Sequence, residues 1–233
     1  VVTGIAKPQG RGKVMTPSVV TVWAEPLGIP ALTPPKINTL ETVVWLHDIG
    51  ADVFVVASYG ALLPVEILAL PPRGCINVHP SLLPRHRGAS PIVQSLLEGE
   101  TRTGMTIIRM SAVLDAGEII LQEPVDVGED EDARTLTDRL AELGGRMAVQ
   151  TLDLIEAGQA RQVGQDHAKA TYCKKLKKED GRIDWSRSAR EIHDQVRALT
   201  IWPGSFTTRN GKIVKVLRMR VVEADCYAPG KSG

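Results

Sequence analysis

Residues 52–58 read Asp-Val-Phe-Val-Val-Ala-Ser, an uninterrupted apolar run of strand length with helix-patterned segments on either side. A run with no polar face to turn toward water predicts a strand buried on both faces of a parallel sheet. The neighbouring segments agree. Residues 17–27 predict a helix with Thr16 as its cap and Pro17 at the first helical position, where a missing N–H costs nothing. Residues 29–32 predict a short strand, and Asn38-Thr39-Leu40-Glu41 a capping box that opens a helix to about His47, closed by Gly50. A short helix over 64–70 and a strand over 75–78 follow. This alternation predicts βαβ units, a parallel sheet with helices on both sides. Ligands of such sheets sit outside the carboxyl ends of the strands, so a site is expected just after Val78.

The second half continues with a helix over 91–97, strands over 103–110 and 118–125, and a long helix over 134–156. That helix carries Leu136, Leu140, Leu143, Met147 and Leu154 on one stripe, with Gly144-Gly145 as a weak point. The polar stretch 158–169 reads as linker. Beyond it come a helix over 189–199 and two β-rich runs joined by Asn210-Gly211, the strongest hairpin signal in the chain. The expected layout is a first domain over 1–160, a linker over 161–180 and a small β domain from 181 to 233.

Composition narrows the class. The 233 residues are 43% hydrophobic and 24% charged, with 28 Lys+Arg against 27 Asp+Glu, a net charge of +1. Those values exclude a disordered tail or a collagen-like fibre. No apolar run approaches the length of a membrane span, and Val1-Val2-Thr3-Gly4 lacks the charged start of a signal peptide. Cys75, Cys173 and Cys226 are odd in number and far apart, which fits neither a disulfide scaffold nor a zinc site. The expectation is a cytoplasmic α/β protein. The chain starts without Met on what reads as the end of a strand, and stops at Gly230-Lys231-Ser232-Gly233 just after a strand pair. Both ends suggest a fragment.

Chemistry concentrates in Asn77-Val-His79-Pro-Ser81-Leu82-Leu83-Pro84-Arg-His86-Arg87-Gly88. Asn77 and His79 are two apart, so on extended backbone they share a face. An amide and an imidazole there can donate to one developing oxyanion, and the imidazole can also move a proton near neutral pH. Downstream, Leu114-Asp115-Ala116-Gly117 places a carboxylate on a turn, where it could orient the imidazole, raise its pKa or take a proton. Taken singly, an Asn-x-His at a strand end is more often a capped turn than a catalytic pair, and Asp before Gly is the ordinary turn residue. His86, between two arginines, reads as a solvated loop residue. His47, His167 and His193 read as helix-surface or linker residues without spaced partners, so no metal site is expected. There is no Gly-x-Ser-x-Gly elbow, no phosphate-binding loop and no GxGxxG.

The whole string is more specific than its parts. Asn77 to Gly88 followed by Asp115 resembles the folate-dependent formyltransferase family, whose hallmark is NxH…SLLPxxRG…D. Three further stretches resemble the branch of that family that formylates methionyl initiator tRNA. They are Val1-Val-Thr3…Lys7-Pro-Gln-Gly10-Arg11-Gly-Lys13…Thr16-Pro17-Ser18, Ala57-Ser-Tyr59-Gly60…Leu63-Pro64, and Thr171-Tyr172…Lys178-Glu-Asp180-Gly-Arg-Ile183-Asp184-Trp185…Trp202-Pro203-Gly204. The resemblance implies a Rossmann-like formyltransferase domain followed by an OB-like β-barrel domain, the first lacking its opening strand and the second its end. A sheet without its first strand exposes edges, so instability is expected. Cys173 and Lys174 stand where the family commonly has small residues or proline.

The resemblance further implies transfer of a formyl group from 10-formyltetrahydrofolate to the α-amine of methionyl initiator tRNA. It assigns catalysis to Asn77, His79 and Asp115, and folate binding to Ser81, Leu82, Leu83 and Pro84. It implies no metal, no membrane, a monomer, and residence in the bacterial cytoplasm or an organelle matrix. The charge pattern is compatible with tRNA. Residues 1–24 carry Lys7, Arg11 and Lys13 and no acid, and 174–190 carry seven basic residues against three acidic ones. Arg11, Lys13, Lys174, Lys175, Lys177 and Lys178 are the expected phosphate contacts, although solvated charge clusters have the same pattern. The acidic run 129–132 balances the total from elsewhere. The alternatives are another formyltransferase of the family, a formyl-folate hydrolase, or an inactive folate- or RNA-binding fragment.

Overall fold

The structure is a computed structural model of the chain and describes residues 1–9 and 12–222. These form two compact units, one of residues 1–77 with 109–113, the other of residues 78–108 with those from 114 onward. A four-stranded sheet in the order β3-β4-β6-β7 organises the fold, comprising Phe54–Ala57 (β3), Cys75–His79 (β4), Arg102–Arg109 (β6) and Ile119–Asp126 (β7).

In the first unit, a hairpin of Lys7–Gln9 (β1) and Val14–Thr16 (β2) precedes a helix over Val19–Ala24 (α1) and a single 3-10 turn over Glu25–Leu27. The expected cap at Thr16 is displaced to Ser18, whose hydroxyl accepts from Thr21 N at 3.1 Å, while Thr16 belongs to β2. The next helix is Leu40–Asp48 (α2), capped by Thr39, which accepts from Thr42 N, so the cap sits one residue later than expected and Glu41 does not close a box with it. Gly50, at φ +63, closes it as expected. In place of a strand over 29–32, Leu32 makes one parallel bridge to Val2. A short helix over Val65–Leu68 (α3) leads to β4.

The strand buried on both faces is not the one expected. β3 lies at the edge of the four-stranded order and alternates half-buried with exposed. The continuously buried strand is β6, where Thr103, Met105, Thr106, Ile107 and Ile108 are at most 2% exposed. β6 sits between two neighbours and so has no edge to show to water. β6 and β7 run antiparallel, Thr106 opposite Gln122, so the sheet is mixed, not purely parallel.

In the second unit, Arg87–Gly88 forms a two-residue strand (β5), followed by Pro91–Leu97 (α4) and the 24-residue helix Ala133–Glu156 (α5). The stripe of α5 is buried at Leu136, Leu140, Leu143 and Met147. Gly144 is a point of close approach, because a Cβ there would lie 2.9 Å from Val78 Cγ1 and 3.1 Å from Met105 Cε. The stretch expected as a linker is docked along this unit. Val163 exchanges both backbone bonds with Ile119, Gln165 is buried, and Tyr172–Cys173 (β8) pairs in parallel with β5.

Beyond it, Ala189–Ala198 (α6) packs on α4, and Ser205–Arg209 (β9) with Lys212–Val216 (β10) forms the expected hairpin. Asn210 and Gly211 take φ +50 and +73, the two left-handed positions its tight turn requires. Ile183, Ile192 and Val196 build a small core with Val216 and Met219. Among the described residues no helix is long and apolar enough to cross a membrane. Cys75 and Cys173 are buried thiols; Cys226 and the end of the expected β domain lie outside the described residues.

Candidate active site

β4 ends at His79, and the turn that leaves it directs the site. His79 is 4% exposed. Its Nε2 lies 3.0 Å from the carbonyl oxygen of His86, and its Nδ1 lies 3.7 Å from Asp115 Oδ2. A carbonyl can only accept, so Nε2 carries a proton and Nδ1 is the nitrogen that faces the carboxylate. Burial pushes the imidazole pKa below its ordinary value, outweighing the pull of Asp115 in the other direction; the His86 carbonyl adds to that pull and the His86 ring opposes it. The carboxylate therefore acts on the ring in the direction expected from sequence, but the net shift is downward.

Asp115 is also held by the chain itself. Gly88 N donates to the same Oδ2 at 2.8 Å. Asp115 takes φ +48, a left-handed conformation that costs an L-residue roughly 1–2 kcal/mol and is best tolerated by Asp and Asn. Three consecutive residues thus frame the pair: His86 gives its carbonyl to His79, Arg87 is anchored behind, and Gly88 gives its N–H to Asp115. Asn77 is half-buried and occupies β4 two residues before His79.

His86 is not a solvated loop residue. It is 2% exposed, with φ +58, its Nε2 3.1 Å from Glu100 Oε2 and its N–H donating to Thr171 Oγ1 at 2.9 Å. Burial follows from the carboxylate that receives it. His86, Glu98 and Glu100 are also the cluster of metal-ligand type among the described residues. Arg85, however, pairs with both Glu98 and Glu100 and already supplies the positive charge. His193 is likewise buried, its Nε2 3.1 Å from Asp130 Oδ1, and not on a helix surface. His167, exposed as expected, has a partner in Arg87 Nη2 at 3.0 Å.

The segment expected to bind folate is held from beneath by a cross-strand pair that sequence reasoning missed. Thr106 Oγ1 donates to Ser81 O at 2.6 Å and accepts from Leu83 N at 3.2 Å, and Gln122 Nε2 donates to Leu83 O and to Thr106 Oγ1, each at 2.9 Å. Ser81 and Leu83 are buried, the Ser81 hydroxyl donating to Arg85 O, while Leu82 and Pro84 are half-buried. Gly104 makes room for Leu82, whose Cδ2 would lie 2.5 Å from a Cβ there. Only the antiparallel register puts Thr106 opposite Gln122, and nothing in the local pattern announces it.

Lys174, Lys175, Lys177 and Lys178 are exposed immediately after β8. Lys13 is exposed, with φ +49, in the turn of the β1–β2 hairpin, and Arg11 lies outside the described residues. The acidic run does not stand apart. Glu129 pairs with Arg190, Asp130 with His193, Glu131 with Arg139, and Asp132 caps α5. Arg187 pairs with Glu191, so the exposed positive charge of this region comes from the lysines of 174–178 together with Arg182, whose guanidinium lies over Phe206.

The chain matches the family described as formyl transferase over residues 1–152 and the family described as formyl transferase, C-terminal domain, over residues 175–232. A protein of Geobacter metallireducens named methionyl-tRNA formyltransferase is 43% identical over 230 residues, covering 99% of this chain and 74% of that one. One of the same name from Anaeromyxobacter dehalogenans is 46% identical over 214 residues, 92% of this chain and 69% of its own. The fold is similar to that of the N-formyltransferase from Helicobacter canadensis, solved with folinic acid and dTDP-3-aminofucose. Its TM-score is 0.70 at 18% identity, covering 91% of this chain and 74% of that one.

Proposed function

The chain belongs to the methionyl-tRNA formyltransferase family, and from that premise we propose how its residues carry the reaction. The enzyme moves a formyl group from a folate-type donor to the amino group of methionyl initiator tRNA. We take the donor to be 10-formyltetrahydrofolate and the catalytic groups to be Asn77, His79 and Asp115.

An α-amine has a pKa of about 8, so an appreciable neutral fraction exists at neutral pH and can attack without a covalent enzyme intermediate. A C–N bond forms to the formyl carbon, whose oxygen becomes an oxyanion. The attacking nitrogen then sheds a proton, the bond to the folate nitrogen breaks, and that nitrogen takes a proton up. Asn77, with an amide that can donate, serves the oxyanion. His79 has Nε2 on a carbonyl and Nδ1 toward a carboxylate, an arrangement suited to holding and passing the proton rather than to sharing the oxyanion. Its lowered pKa keeps the ring ready to accept. The His86 carbonyl keeps the ring in that orientation, and Asp115 favours the charged ring when the proton arrives.

The observation that carries this reading is the His79–Asp115 pair, buried to 5% and 10% side-chain exposure and framed by His86 and Gly88. Ser81, Leu82, Leu83 and Pro84 would line the folate site, and the 174–178 lysines with Lys13 and Arg11 would meet tRNA phosphates. A formyltransferase domain over 1–160, a connecting stretch over 161–180, an OB-like barrel beginning at 181, a monomeric state and a cytoplasmic or organelle-matrix setting complete the proposal. Metal takes no part in it.

The test is acceptor choice. With 10-formyltetrahydrofolate as donor, charged initiator tRNA, free methionine and an amino-sugar nucleotide are offered separately. Transfer to the tRNA alone is expected. Comparable transfer to either small acceptor overturns the assignment of the acceptor.

A further inference from the structure

Gln165 lies in the polar stretch between the two family matches, yet it is 8% exposed and every valence of its amide is used. Nε2 donates one hydrogen to Asp115 O at 2.8 Å and the other to Gly117 O at 2.7 Å. Oε1 accepts from Arg87 Nε at 3.2 Å and Nη2 at 2.6 Å. The orientation of the amide is fixed by chemistry, because a guanidinium only donates and a carbonyl only accepts. Arg87, 2% exposed, sits between the residue whose carbonyl holds His79 and the residue whose N–H holds Asp115. One side chain therefore ties together the two backbone segments that must stay in register for the imidazole and the carboxylate to face each other.

A left-handed Asp115 needs such a tie. Its φ of +48 is disfavoured for an L-residue, so the surrounding contacts must select it. Gln165 takes the carbonyls on either side of Ala116, which fixes the direction in which the Asp115 side chain leaves the turn. We propose that Gln165 is a positioning residue for formyl transfer, acting through Asp115. This inference rests on the catalytic reading of His79 and Asp115 given above.

Gln165→Glu separates positioning from folding. The carboxylate keeps the acceptor for Arg87 and strengthens it by charge, but sets an oxygen against the two carbonyls that the amide held. The expected result is a fall in kcat of about 10–10²-fold, the scale of a small misplacement of a reacting group, with KM for donor and tRNA within about 3-fold. In a cycle with Asp115→Ala, the Gln165→Glu substitution should add little to the loss that the alanine causes by itself, since both remove the same aligned carboxylate. Gln165→Met, neutral and of similar length, gives the same reading should the first variant unfold. Wild-type turnover in Gln165→Glu overturns the proposal, and so does a loss that adds in full to that of Asp115→Ala, the mark of a merely structural role. Wild-type turnover in Asp115→Ala would instead remove the catalytic reading on which the proposal stands.

Discussion

The imidazole of His79 donates from Nε2 to the carbonyl oxygen of His86 at 3.0 Å, and this one bond fixes which ring nitrogen faces Asp115. A backbone carbonyl cannot change its role with pH. Whatever proton the reaction places on the ring must therefore enter or leave by the Nδ1 side, or else break the His86 bond. The left-handed backbone of His86 and its buried pairing with Glu100 hold that carbonyl in place.

Stability should carry the signature of this burial. His79 has its pKa lowered from 6.5, with Asp115 and the His86 ring as the groups that face it. Below about pH 6.5 the unfolded chain binds a proton that the folded chain does not, so stability is complete above that pH and is lost as pH falls toward the folded pKa. Urea midpoints at about pH 7.5 and about pH 5.5 should differ less in His79→Gln than in the wild type, because the variant lacks this linkage.

Asn77→Ala should lower kcat by about 10²–10³, as loss of one oxyanion donor does elsewhere, and leave KM for the folate donor nearly unchanged. Steady-state rates with donor and tRNA varied in turn decide this. A rise in donor KM at constant kcat would move Asn77 to a binding role.

Thr106→Val keeps shape and removes a hydroxyl that bridges Ser81 O, Leu83 N and Gln122 Nε2. Leaving these groups unpaired in the interior should cost about 1–3 kcal/mol of stability and loosen the segment from Ser81 to Pro84. Thermal melts and donor KM report the two effects. An unchanged melt with an unchanged KM would show that the cross-strand pair does not support that segment.

The lysines after β8 should act through salt. Changing Lys174, Lys175, Lys177 and Lys178 to alanine one at a time should weaken tRNA binding. Each alanine that leaves a phosphate unneutralised should also lower the slope of log affinity against log salt by about 1. Filter binding over a salt series measures it. Slopes equal to wild type for all four would remove this stretch from the tRNA interface.

Residues whose significance is local are readable in the sequence, and those whose significance is topological are not. The string from Asn77 to Gly88 is specific enough to show the family, and the Asn210-Gly211 turn and the stripe of α5 follow from short-range rules. His86 reads as solvated because its sequence neighbours are arginines, whereas its environment is set by Glu100 and Thr171. Gln165 reads as linker because polarity without periodicity carries no signal, yet its partners lie 48 to 78 residues away. β3 carries the most apolar run but lies at the edge of the sheet, and β6, with two threonines and a glycine, is the buried strand. Periodicity reports which faces are apolar, not which strand the chain places at the centre.

The most direct test is a single-turnover comparison of wild type and His79→Ala, with saturating 10-formyltetrahydrofolate and charged initiator tRNA. If His79 carries the proton, the alanine variant should transfer formyl about 10²–10⁴ times more slowly while binding the donor within about 3-fold of wild type. A variant rate within about 3-fold of wild type, donor bound and chain folded, would contradict the account.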